Sequence, residues 1–178
     1  VAAGQLELAK AGFTVKQIMA AMPGVISASE ASGESMARTA EVMTAALNGF
    51  GLKAIAASHV ADVLAQAAND SAADINDFGY AFKYAAAPAH ALGMKLEEVS
   101  AAIEIMSDAG IKGETAGTTL RGGLIQLLKP SEETSKMMQK LGITIEDSKG
   151  NFVGLANLIQ NISQSLEGQT RAQKLANL

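Results

Sequence analysis

The chain has 178 residues, long enough to bury one core and short of two full domains. Its net charge of −4 comes with no basic cluster, which excludes a dedicated nucleic-acid reader. The absence of cysteine excludes a disulfide framework and thiol chemistry, as suits an intracellular bacterial or viral product.

The hydrophobic fraction of 48% is ordinary, but its make-up is not. Alanine alone is roughly a fifth of the chain, tryptophan is absent and aromatics reach only 4%. Alanine is the best helix former, and its methyl lets helix backbones approach closely. The expected class is mainly all-α: a compact bundle or array of short helices. A core of Ala, Leu, Ile and Met buries little area per residue. The expectation is therefore a marginal monomer or stability shared with further copies. No signal peptide and no run of about 18 apolar residues is visible. The chain opens and closes in helical pattern, and reads as an excerpt of a longer protein.

In chain order, a helical stretch around Leu6 to Ala11 leads to Thr14, with Gln17 three residues on, a capping box. The helix it starts is expected to be interrupted at Pro23-Gly24. Met36, Ala40, Met43, Leu47 and Phe50 form one apolar stripe, stopped by Gly49 and Gly51. Ile55, Val60, Val63, Leu64 and Ala67 mark the next helix. Asp74 caps another, with Ile75, Phe78, Phe82 and Ala85 on one face, which Pro88 should break or kink. Leu96, Val99, Ile103 and Met106 follow, with Glu97 and Glu98 in the first turn and Gly110 at the stop. Leu120 to Leu128 form a helix ending at Lys129-Pro130, and Ser131 starts one that runs to about Leu141-Gly142. Alternation through ITIEDSKGNFV predicts a small β-hairpin near 143–153, ahead of a last helix with Leu155, Leu158, Ile159, Ile162 and Leu166.

This reading divides the chain into a helical module over 1–142 and a hairpin with C-terminal helices over 143–178. A faint repeat sets Gly51-Leu52-Lys53 against Gly110-Ile111-Lys112 at an offset of 59. Two helical units, about 1–58 and 59–129, would stack as an array, and shared helical composition produces the same correspondence.

The stretch DAGIKGETAGTTLRGGL holds Gly110, Gly113, Gly117, Gly122 and Gly123. A phosphate loop needs a lysine directly after its last glycine, and none stands there; G-x-G-x-x-G is absent too. The alternative is a tight turn joining closely packed helices, where contact offsets the roughly 1 kcal/mol that a helical glycine costs. Gly51, Gly110, Gly113, Gly117, Gly122 and Gly123 are accordingly expected at structural turns and close helix contacts, and Pro23, Pro88 and Pro130 at helix breaks.

Catalytic and metal constellations are thin. His59 and Asp62 are i, i+3 neighbours, but a catalytic zinc wants three ligands, and His90 follows Pro88 with no carboxylate near it in sequence. Glu104 and Asp108 read as a solvated face. No G-x-S-x-G elbow exists. Most of the eight methionines fall on apolar stripes as adaptable core filler. No catalytic, cofactor or metal residue is assigned.

The succession LNGFGLKA, HVADVLAQAANDSAADINDFGYAFKYAAAPAHALGM, LEEVSAAIEIMSDAGIKGETAGTTLRGG and LGITIEDSKGNF resembles the core of phage tail tape measure proteins, also called phage-related minor tail proteins. The likeness runs from about Leu6 to Leu166 and is most specific over Met94 to Gly123. It implies a structural role in tail assembly, length determination and genome delivery. It also implies several copies in the tail lumen of the virion and assembly in the host cytoplasm. The implied partners are the tail tube protein, tail assembly chaperones and baseplate proteins; the implied cofactors are none. Membrane contact would come only through other parts of a longer chain. Two other classes stand beside it. One is a membrane-active helical module, against which the lack of a long apolar hairpin counts. The other is a helical cell-wall hydrolase, which needs a carboxylate general acid in an apolar cleft, and none stands out among Glu97, Glu104 and Glu114. With breakers at Pro23, Gly51, Pro88, Gly110, Pro130 and Gly142, the segment is expected to fold back on itself rather than act as an extended ruler.

Overall fold

The computed structural model describes residues 1–167. Nine α-helices are found among them: α1 Ala2–Lys10, α2 Val15–Ser32, α3 Met36–Gly49, α4 Ala57–Asp70, α5 Ile75–Ala91, α6 Leu96–Asp108, α7 Gly113–Leu128, α8 Glu132–Leu141 and α9 Leu155–Ser165. A single 3-10 turn, Ala54–Ala56, precedes α4. The mainly helical class holds. The chain divides into two compact units between Gly122 and Gly123, inside α7, rather than after residue 142.

Unit 1, Val1–Gly122, is built by a skipping rule. α1 packs on α3 and α3 on α5, while α2 packs on α4 and α4 on α6; contacts between consecutive helices are thinner. The odd and even helices thus form two rows, joined pairwise as hairpins. The core between them holds Leu8, Met43, Leu47, Leu64, Phe78, Phe82 and Ile103, all fully buried. Phe50 meets Phe82 edge-on at 5.6 Å between ring centroids, and Phe78 lies 6.0 Å from Phe82.

The hairpin links share one chemistry. α1, α3 and α5 each end on a glycine with positive φ, at Gly12, Gly51 and Gly93. The apolar residue after each glycine donates its N–H back into the last turn: Phe13 to Leu8, Leu52 to Leu47 and Met94 to Ala89. This is a left-handed helix stop with its returning hydrogen bond. It recurs about forty residues apart, the spacing of two-helix repeats. Gly110 makes the same stop between α6 and α7, with Ile111 bonded to Met106. The offset of 59 therefore relates an odd-row helix, α3, to an even-row one, α6.

Two expected breaks are corrected. Pro23 lies inside α2 and Pro88 inside α5. Each removes one backbone hydrogen bond, a loss of roughly 3 kcal/mol in an isolated helix. Around Pro23, Ala21, Met22, Gly24 and Val25 are buried, while the proline ring itself faces solvent. Around Pro88, Ala85, Ala86 and Ala89 are buried. Packing on the flanking residues carries each helix through. Pro130 does fall between helices, just after α7.

Unit 2, Gly123–Leu178, contains the end of α7 together with α8 and α9. The expected β-hairpin near 143–153 is corrected: no strand forms among the described residues, only an isolated antiparallel bridge between Glu146 and Phe152. The cause is Asp147. The bridge is closed by two ladder bonds, from the Asp147 N–H to the Asn151 carbonyl at 2.7 Å and from the Val153 N–H to the Ile145 carbonyl at 3.0 Å. On its turn side the Asp147 Oδ1 accepts from the backbone N–H of Lys149 and of Asn151, so the Asn151 donor that the next rung would need is drawn into the turn, and an isolated two-stranded hairpin is marginal in any case.

Candidate functional site

Within the glycine stretch the structure separates five residues into three kinds. Gly110 (φ 84°) is a helix stop in open space. Gly113 (φ 53°) and Gly117 face α5. A Cβ on Gly113 would lie 3.1 Å from the Asp77 carboxylate, and one on Gly117 would lie 2.6 Å from both Cα and O of Ala81. Gly122 and Gly123 are exposed, with nothing within 4 Å of a Cβ. The amides of Gly110, Ile111 and Ala116 bond to the carbonyls of Ser107, Met106 and Lys112. Those donors are consumed within the chain and cannot cradle a phosphate. Gly51 is a helix stop over which His90 lies, its Nε2 3.0 Å from where a Cβ would stand.

Four further glycines mark close contacts, and the sequence reading assigned none of them that role. A Cβ on Gly24 would lie 2.5 Å from the Ala57 backbone, one on Gly49 2.5 Å from the Ala86 methyl, one on Gly79 2.5 Å from a Val42 methyl and one on Gly4 3.2 Å from the Met36 carbonyl. With Gly117, these five sit between helices two apart in the chain: α1 and α3, α2 and α4, α3 and α5 twice, and α5 and α7. At Gly24, Gly49, Gly79 and Gly117 the helices stand too close for a Cβ unless something shifts, and at Gly4 the fit is tight. The available signal was a glycine inside a strongly periodic helix, where its cost demands a reason.

Links are clasped as well. Asp108 accepts the Ala72 N–H at 2.8 Å, and Lys112 donates to the Ala72 carbonyl, so the link after α6 grips the link after α4. Asn76, on the first turn of α5, donates to Glu34 and accepts from Arg38 Nε at 2.6 Å. Arg38 also lies 4.6 Å from the centre of the Tyr80 ring.

His59 pairs with Glu97 across α4 and α6 at 2.6 Å, not with Asp62 as sequence proximity suggested. Hydrogen bonding to its own backbone amide in the first turn of α6 holds the Glu97 carboxyl below its usual range, with His59 adding to this. Glu104 is pushed up, first by partial burial and then by the neighbouring Asp70 and Asp108. Glu114 accepts from the Tyr84 hydroxyl at 2.7 Å. His90 shares an open cleft with His59 and Glu97, yet no group of three His, Asp or Glu among the described residues could hold a metal. Met22, Met43 and Met94 are buried filler, whereas Met137 and Met138 line an apolar trough of about 360 Å³ in unit 2 with Leu127, Leu141, Ile143 and Leu158. None of the described helices is long and apolar enough to cross a membrane.

The glycine positions thus mark seams between helices. The family model described as phage-related minor tail protein matches residues 1–178. The chain belongs to that family. Among curated relatives, the chain is 46% identical over 173 residues to the tape measure protein of Pneumococcus phage Dp-1, covering 97% of the chain and 15% of the relative. It is 32% identical over 166 residues to the probable tape measure protein of Escherichia phage P2, covering 93% and 20%. The chain thus spans a fifth or less of the length of these relatives. No solved structure matches it.

Proposed function

We propose that this chain is a folded helical module of a tape measure protein, acting by architecture in phage tail assembly, tail-length determination and genome delivery rather than by catalysis. The observation that carries the reading is the set of five glycine contacts that lock next-neighbour helices, in a chain of the minor tail protein family. The longest described helix, α2, has 18 residues and spans about 27 Å, while an unbroken helix of the whole length would reach about 270 Å. The module is therefore no ruler in itself. Measuring belongs to sequence outside it, and the module supplies compactly folded helices, present in several copies in the tail lumen of the virion. Its partners are other copies, the tail tube protein, the baseplate proteins and, in the host cytoplasm, the tail assembly chaperones. Of the other classes, the membrane-active module has no supporting helix among the described residues.

In-frame deletions in the phage protein that contains this chain test the reading, with tails measured by electron microscopy. Removing helical sequence outside the module should give infectious tails of altered length. Removing α3 to α5 should abolish tails. Proportionately shorter, infectious tails after the second deletion would sink it.

A further inference from the structure

The helical glycines up to Gly117 each touch a neighbouring helix closely enough to account for their cost. Gly122 and Gly123 do not. They stand side by side in the middle of α7, both exposed, with nothing within 4 Å of either missing Cβ, and neither carries a positive φ. Neither a close contact nor a left-handed turn requires glycine there. Each weakens the helix against alanine, and two adjacent weaken the same turn. Arg121 before them is exposed too, so three consecutive residues of α7 lack buried contacts. On either side the helix is fastened: Ala116 and Gly117 are buried before the pair and Leu124 after it. The boundary between the two compact units falls between these two glycines.

We infer that Gly122-Gly123 is a hinge: α7 belongs to unit 1 up to the glycine pair and to unit 2 beyond it, and bends or unwinds there so that the two units move as separate bodies. Adjacent small residues are one of the places where helices kink, and hinges are a few residues that absorb backbone change between packed elements. The inference stands independently of the tail-assembly reading, since it concerns the mechanics of one helix.

The chain has no cysteine, so two can be placed for spin labels without competing sites. Lys83→Cys in α5 and Gln139→Cys in α8 are both exposed positions, one in each unit. The expected result is a broad distance distribution, narrowed at least about twofold by the pair Gly122→Ala and Gly123→Ala, with backbone amide exchange at residues 121–124 slowed about tenfold or more. In the unsubstituted chain those amides should exchange at least about tenfold faster than those of Thr118 to Leu120, a comparison that needs no variant to fold. A narrow distribution in both chains overturns the hinge, as does uniform exchange along α7. A broad distribution that the alanines leave unchanged also overturns it, by placing the freedom elsewhere.

Discussion

A methyl on Gly117 would lie 2.6 Å from Cα and O of Ala81, inside the backbone of α5. Backbone cannot turn aside as a side chain does, so α7 must lift off α5 if residue 117 gains a carbon. Overpacking of this kind costs about 1–3 kcal/mol, against a helix-propensity gain of about 1. Gly117→Ala is expected to lose up to about 2 kcal/mol net and Gly117→Leu more, read as a fall in urea midpoint. An unchanged midpoint for Gly117→Leu contradicts the seam.

Gly93 provides the opposite case. Nothing lies within 4 Å of a Cβ there, but φ is 79°. Gly93→Ala should cost about 1 kcal/mol from backbone strain alone. Gly93→Asn should cost less, because asparagine tolerates the left-handed region. Equal losses for the two would point to packing rather than to φ.

Asp74 caps α5 by accepting from the Asp77 N–H at 2.9 Å, while Asp77 returns to the Asp74 N–H at 3.2 Å. Asp74→Ala should destabilise by about 1 kcal/mol, and Asp74→Ser should restore most of it. Thermal unfolding of the two variants checks this.

Glu104 has a raised folded pKa, so ionising it weakens the fold as pH climbs above the ordinary glutamate range. Glu104→Gln should therefore stabilise at neutral pH, by an amount that disappears below about pH 4. A gain that persists at low pH would assign the effect to something other than the charge.

Glu97 shows the reverse sign. Its folded pKa is lowered, so its contribution is present above the usual glutamate range and is lost as pH falls through the folded value. Both partners of the His59–Glu97 pair are about half exposed. His59→Gln should change stability by less than about 1 kcal/mol. A larger loss would reveal a tie between α4 and α6 that an exposed pair does not supply.

Local chemistry was legible in the chain itself. The Thr14 and Asp74 caps, the stops at Gly51 and Gly110, and the apolar stripes of α3 to α6 rest on residues within a turn or two of one another, and a single sequence displays them. Where a helix ends at a proline is different. Pro23 and Pro88 look like breaks because the missing hydrogen bond is local, while the buried residues that outweigh it face other helices. The hairpin near 143–153 failed for a related reason, since alternation says nothing of Asp147 taking the backbone donors. Only the tertiary structure decided that helices pack on their second neighbours, that Gly4, Gly24, Gly49 and Gly79 are points of contact, and that Gly122 and Gly123 are not. A glycine carries no side chain to announce its surroundings. Whether its bareness admits a neighbour or frees a backbone depends on what stands opposite, and that is set by residues far away along the chain.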